Sequence, residues 1–234
     1  MKAEKPPYEE DFWQGSDRLY IMFSGARGHL GLPKLEYARR AGIIDHNRLL
    51  IRDPYSAWYQ RGIPGVGDDV HAIARFLERK ITESGASDVC FVGNSMGGFA
   101  ALLFCSLTAT GRAVAFAPQT FLSPEKQKSS GDTRRPEAVA EMYRHRSANH
   151  IYDLQPWLKR HSPDIQADLY YDANYAFDLS HANDLKGFPN VRHHPFQQGG
   201  HRIIISLYQQ DLLEGILSPK KAKAPSRLLD KFKR

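Results

Sequence analysis

Gly93-Asn94-Ser95-Met96-Gly97 sets a serine between two glycines near the middle of the chain, with a further glycine at position 98. A serine hydroxyl becomes a useful nucleophile toward a carbonyl carbon only when a neighbouring base removes its proton. The apolar run DVCFV precedes the motif and FAALLFCSL follows it, so the serine falls on a turn that leads from a strand directly into a buried helix. Such a turn strains the backbone at Ser95 and crowds the positions two before and two after it, which is why glycine is wanted at both. The following helix points its free N–H groups and positive dipole end at the serine, favouring negative charge that develops there. A glycine-rich turn whose serine merely capped the helix would leave the flanking glycines unexplained.

The hydroxyl needs a base, and the base needs a carboxylate to fix its tautomer. His201, in QQGGHRIIISLYQQDLL, follows two glycines and directly precedes an apolar helical run, which puts an imidazole on a turn. His193 and His194, in VRHHPF, fall within a strand, where alternation sends one to each face and a structural role is expected. The acid has two candidates behind the run ADLYY. Asp178 precedes a helix-like segment and can turn back toward the histidine, whereas Asp172, nearer the strand end, can instead cap the turn; Asp178 is favoured and Asp172 is the alternative. The glycine-rich FSGARGHLGLP follows an early strand and can bring backbone N–H groups to an oxyanion; the expected donors are Met96 together with Gly25 or Ala26. Arg27 and His29 in that loop are candidates for holding a substrate anion, with a solvent-facing Arg27 as the alternative. Trp58, Tyr59, Phe121 and Trp157 are candidates for shaping specificity, although each aromatic taken singly also suits packing.

These groups need a scaffold. Strands are expected at 19–23, 48–51, 88–92, 113–117, 167–171 and 191–196, alternating with segments of helical period. Val70, Ile73, Ala74, Leu77 and Ile81 mark one apolar face of an amphipathic helix that Gly85 closes. Strand and helix in alternation specify an α/β fold, a mostly parallel sheet with helices on both faces. Residues 119–164 break the rhythm with a polar stretch that includes SPEKQKSSGDTRRPE and a helical piece near 136–146. This insertion has the length of a cap or lid. One domain over 18–218 is expected, with a loosely held flank at 1–17 and a basic tail at 219–234.

The chain has 234 residues, 41% hydrophobic and 25% charged, enough to bury a core without a disulfide or metal staple. Cys90 and Cys105 lie in apolar runs and are expected to be buried free thiols. No run approaches the roughly 18 apolar residues of a membrane span, and MKAEKPPYEEDFW lacks a signal peptide's apolar centre, so a cytoplasmic location is expected. The net charge of +6 resides entirely in the tail, where Lys220, Lys221, Lys223, Arg227, Lys231, Lys233 and Arg234 outnumber Asp230. A neutral body argues against nucleic acid as a partner. The tail is expected to be solvated, with contact to an anionic membrane surface as the alternative. No metal-ligand spacing, HExxH, CxxC or phosphate-binding glycine loop occurs, so neither metal nor cofactor is expected.

The elbow GNSMGG, the chain order Ser95, Asp178, His201, the early SGARG loop and the polar insertion together resemble the α/β-hydrolase superfamily over about 19–217, nearly the whole chain. RDPYSAWYQRGIPG, GNSMGGFAALLF and AFAPQTF also resemble a bacterial subgroup met among polysaccharide-related proteins. The resemblance implies a serine esterase or acyl hydrolase that forms an acyl-enzyme on Ser95, with His201 as base, Asp178 as orienting acid and a small-molecule or glycan-linked acyl substrate. One departure is that ANYAF intervenes between the strand end and Asp178. The alternatives are an acyltransferase using the same residues and a non-catalytic scaffold of the same fold.

Overall fold

The computed structural model describes residues 6–31 and 33–218, with the side chains of Arg27 and Leu35 outside the described set. Seven strands, β1 (Tyr8–Asp11), β2 (Arg18–Phe23), β3 (Asn47–Ile51), β4 (Asp88–Asn94), β5 (Arg112–Phe116), β6 (Ala167–Asp172) and β7 (Val191–Phe196), form one sheet in the order β1-β3-β2-β4-β5-β6-β7. All neighbours are parallel except the antiparallel β1–β3 pair. The flank expected to be loose therefore contains an edge strand. Tyr8 pairs with Ile51 and Asp11 with Arg48, and Trp13 donates its backbone N–H to Asn47 Oδ1 at 2.6 Å.

Strand alternation sorts the core into two layers. Leu19, Ile21 and Phe23 of β2 face one side, where α2 (Val70–Ser84) and α3 (Met96–Thr108) lie. Tyr20 and Met22 face the other, toward α1 (Lys34–Arg40), α8 (Ile203–Gln209) and α9 (Leu213–Leu217). Helix α2 starts where the Asp69 side chain accepts the Ala72 N–H at 2.7 Å and stops at Gly85, which is left-handed. Its buried residues are Val70, Ile73, Ala74 and Leu77 of the apolar period together with Phe76, which lies outside it, and Ile81 packs against the same cluster half-buried.

The insertion is built from α4 (Pro124–Ser130), α5 (Pro136–Arg144) and α6 (Leu154–His161). It is packed down rather than detached: Leu122, Val139, Met142, Ile151, Leu154 and Leu158 are buried in the cluster that includes α2 and α3. Helix α7 (Ala176–Asp184) follows β6. From β2 the chain first goes outward to β3 and then returns to β4 on the other side. The carboxyl ends of β2 and β4 thus flank the point at which strand order reverses, where open α/β sheets place their crevice.

Candidate active site

Ser95 sits at that point, between β4 and α3, with φ 57° and ψ −119°. A non-glycine residue holds this conformation only when its surroundings force it. Here Ser95 N–H donates to the Phe116 carbonyl at 2.9 Å, and the Ser95 carbonyl accepts Phe99 N–H at 3.1 Å. The neighbouring glycines have steric reasons. A Cβ at Gly93 would lie 2.0 Å from the Gly97 carbonyl oxygen, and one at Gly97 would lie 2.3 Å from the Phe23 carbonyl oxygen. The second contact seats the start of α3 directly on the end of β2.

His201 Nε2 is 2.8 Å from Ser95 Oγ, and its Nδ1 is 2.8 and 3.1 Å from the two carboxylate oxygens of Asp178. The histidine lies on a short 3-10 turn (Gly200–Arg202) after Gly199, whose φ is 121°. Asp178 stands in the first turn of α7 and is fully buried. The ANYAF interval is the turn and helix start that carry the carboxylate back from β6. Asp172, the alternative acid, is used otherwise: its carboxylate accepts Asn174 N–H at 2.8 Å and Gly200 N–H at 2.7 Å. It caps the turn after β6 and ties down the histidine loop. The strand histidines face opposite ways, His194 stacked on Tyr170 and His193 set edge-on to Tyr171.

Met96 opens α3, so its N–H has no intrahelical acceptor and lies beside Ser95. Of the two second donors, Gly25 is excluded in this conformation because its N–H donates to the His29 carbonyl at 2.8 Å. Ala26 opens the 3-10 turn Ala26–Gly28 and has no acceptor within it. His29 is exposed, and the Arg27 side chain lies outside the described residues.

Of the aromatic candidates, Trp58, Tyr59 and Phe121 take the packing alternative and none of the four lines the cleft over Ser95. Trp58 and Tyr59 are fully buried, and Phe121 nearly so. The Asp53 carboxylate accepts the N–H groups of Tyr55, Ala57 and Tyr59, winding the chain tightly enough that Trp58 and Tyr59 take positive φ and turn inward. Tyr59 then donates its hydroxyl to the Ser24 and Ile51 carbonyls, and Trp58 Nε1 donates to Gln119. Trp157 stacks on His161 and lines a separate cleft. The cleft over Ser95, about 480 Å³, is walled instead by Gln119, Arg134, Arg135, Pro136, Glu137, Ala138 and His201.

Three residues near the site carried no sequence signal of their own. Arg134 Nη1 donates to Asp178 Oδ1 at 2.6 Å, while Nε and Nη2 grip the Asp132 carboxylate at 2.7 to 3.1 Å. Asp132 also meets His181 Nε2 at 2.9 Å, and His181 Nδ1 accepts the Thr120 N–H at 3.0 Å. That acceptor role assigns the His181 proton to Nε2. Burial works against the Asp132 carboxylate, but hydrogen bonds from His181 and Arg134 outweigh it and hold its carboxyl well below the usual range. Burial pushes the His181 imidazole downward.

This sheet order, with helices on both faces and the sharp strand-to-helix turn at β4, is the α/β-hydrolase fold. Solved structures share it. The capsule O-acetyltransferase of Neisseria meningitidis serogroup A superposes with TM-score 0.62 at 17% identity, covering 88% of this chain and 90% of its own. An α/β hydrolase, MGS-MChE2, from a lagoon-sediment metagenome superposes with TM-score 0.56 at 16% identity over 87% of this chain and 89% of its own. An esterase from Exiguobacterium antarcticum gives TM-score 0.56 at 13% identity over 90% and 93%. No protein-family model matches the sequence, and no curated protein matches it significantly. Among the described residues, no helix is long and apolar enough to cross a membrane. Cys90 and Cys105 are free and buried.

Proposed function

We propose that the protein is a serine hydrolase that cleaves a small acyl group from a polar carrier. The observation that carries this reading is the hydrogen-bonded series Ser95, His201, Asp178 on a strained turn at the carboxyl edge of the sheet. In the proposed cycle Ser95 Oγ attacks the acyl carbonyl as its proton passes to His201 Nε2. Asp178 holds Nδ1–H and supports the imidazolium that forms. The carbonyl oxygen takes the negative charge and receives the N–H groups of Met96 and Ala26. Collapse expels the alcohol or thiol, which takes the proton from His201 and leaves the acyl group on Ser95. A water molecule, deprotonated by His201, then repeats the attack and releases the acid.

The cleft supports a substrate class. A long acyl chain binds in an apolar trough, whereas the walls here are mostly polar, Gln119, Arg134, Arg135 and Glu137 beside the small Pro136 and Ala138, and the candidate aromatics Trp58, Tyr59 and Phe121 are packed away. A short acyl group on a sugar-like or other polar carrier suits such walls. The same polarity favours a second reading, acyl transfer to a polar hydroxyl in place of water, and a capsule O-acetyltransferase is among the proteins that share the fold.

Intact mass after fluorophosphonate exposure tests the nucleophile. One adduct on the native protein, lost in Ser95→Ala and His201→Ala, is expected; an adduct retained by Ser95→Ala refutes the assignment. Acetyl esters should then be turned over faster than octanoyl esters, and partition of the acyl group to added sugars separates transfer from hydrolysis.

A further inference from the structure

We propose that Arg134 is a positioning residue, holding the Asp178 carboxylate in the orientation that His201 needs, so that the insertion supplies part of the acid's setting. The inference rests on the reading of Ser95, His201 and Asp178 given above. Arg134 Nη1 lies 2.6 Å from Asp178 Oδ1 and 2.8 Å from His201 Nδ1. Two N–H donors do not bond each other, so the arginine and the histidine converge on Asp178, whose Oδ1 has lone pairs for both. This removes the carboxylate's freedom to rotate away from the imidazole.

Arg134 is itself fixed on every side. Its remaining nitrogens grip Asp132, which His181 Nε2 holds from behind. His181 is secured by the Thr120 N–H and stacked on Phe121 with ring centres 3.9 Å apart. The rings of Phe177 and Tyr175 lie 5.3 and 5.7 Å from the guanidinium carbon. A fork with several donors in fixed geometry is what this arrangement uses, and a lysine ammonium does not reproduce it.

The test follows the His201 Nδ1–H resonance by NMR at fixed pH, assigned by its loss in His201→Ala, in the native protein, Arg134→Gln and Arg134→Lys. In Arg134→Gln that resonance should broaden and its exchange with solvent quicken as the hydrogen bond to Asp178 loosens. Fluorophosphonate labelling of Ser95 should slow by about tenfold to a hundredfold. Arg134→Lys should restore neither. Because Arg134→Gln leaves Asp132 without its main partner, the neutral pair Asp132→Asn with Arg134→Gln serves as a second variant, with the same change in resonance and labelling rate expected. A His201 Nδ1–H resonance and labelling rate equal to native in both glutamine variants, with only the unfolding temperature altered, would overturn the proposal. A resonance loosened in the variants of a protein whose Ser95 takes no label would instead support the positioning and refute the hydrolase reading.

Discussion

The strain at Ser95 makes a stability prediction that is independent of any substrate. At φ 57° and ψ −119° a side-chain-bearing residue costs about 1–3 kcal/mol relative to an allowed region, and glycine escapes most of it. Both Ser95→Ala and Ser95→Gly lose the hydroxyl and its hydrogen bond to His201 Nε2, so that loss cancels in the comparison between them. Glycine adds about 0.5–1 kcal/mol of chain entropy to the unfolded state. At mid-range the difference leaves Ser95→Gly more stable than Ser95→Ala by about 1 kcal/mol. For a chain of 234 residues this corresponds to a rise in melting temperature of roughly 2–4 °C. Urea unfolding of the two variants, with unchanged slope as the check on two-state behaviour, measures it. Equal or lower stability for Ser95→Gly would mean that the turn is not strained, and the steric account of the motif would fail.

Other perturbations separate neighbouring roles. Gly97→Ala forces a Cβ to 2.3 Å from the Phe23 carbonyl oxygen and should destabilise by about 1–3 kcal/mol with labelling of Ser95 reduced. Gly215→Ala in α9, with open space around it, should be neutral or slightly stabilising, and calorimetry compares the two. Asp178→Asn should slow fluorophosphonate labelling by about 10³-fold or more in a folded protein. Asp172→Asn, which weakens the hold on Gly200 and the turn, should chiefly lower the melting temperature. Asp132 has its carboxyl held low in the folded state, so the stability it contributes is complete above the unfolded value near pH 4 and is lost as pH falls through the acid range. His181, lowered by burial, adds loss in the same direction below about pH 6.5. Acid unfolding of Asp132→Asn should therefore show a shallower dependence on pH than the native protein, and an identical profile would contradict the network's ion pairing.

Local patterns were enough to locate most of the scaffold. The strands at β2 through β7, the amphipathic α2 and the turn at Ser95 follow from residue period and from glycines that answer steric needs within a few residues. Strand ends and turn chemistry also singled out Ser95, Asp178 and His201, which the fold brings within hydrogen-bond distance of one another, and Asp172, which caps its turn. Tertiary structure decided what depends on partners far away in the chain. Tyr8–Asp11 carries too few apolar residues to announce a strand, and only pairing with β3 makes it one. Gly25 could have offered its N–H until the His29 carbonyl took it, and Trp58 and Tyr59 could have faced a ligand until Asp53 wound their loop inward. Arg134 and Asp132 stand in a polar stretch with no period of its own, 44 residues or more from the groups they meet on α7. Their roles arise from packing that excludes water around buried charge and obliges each group to find its partner there.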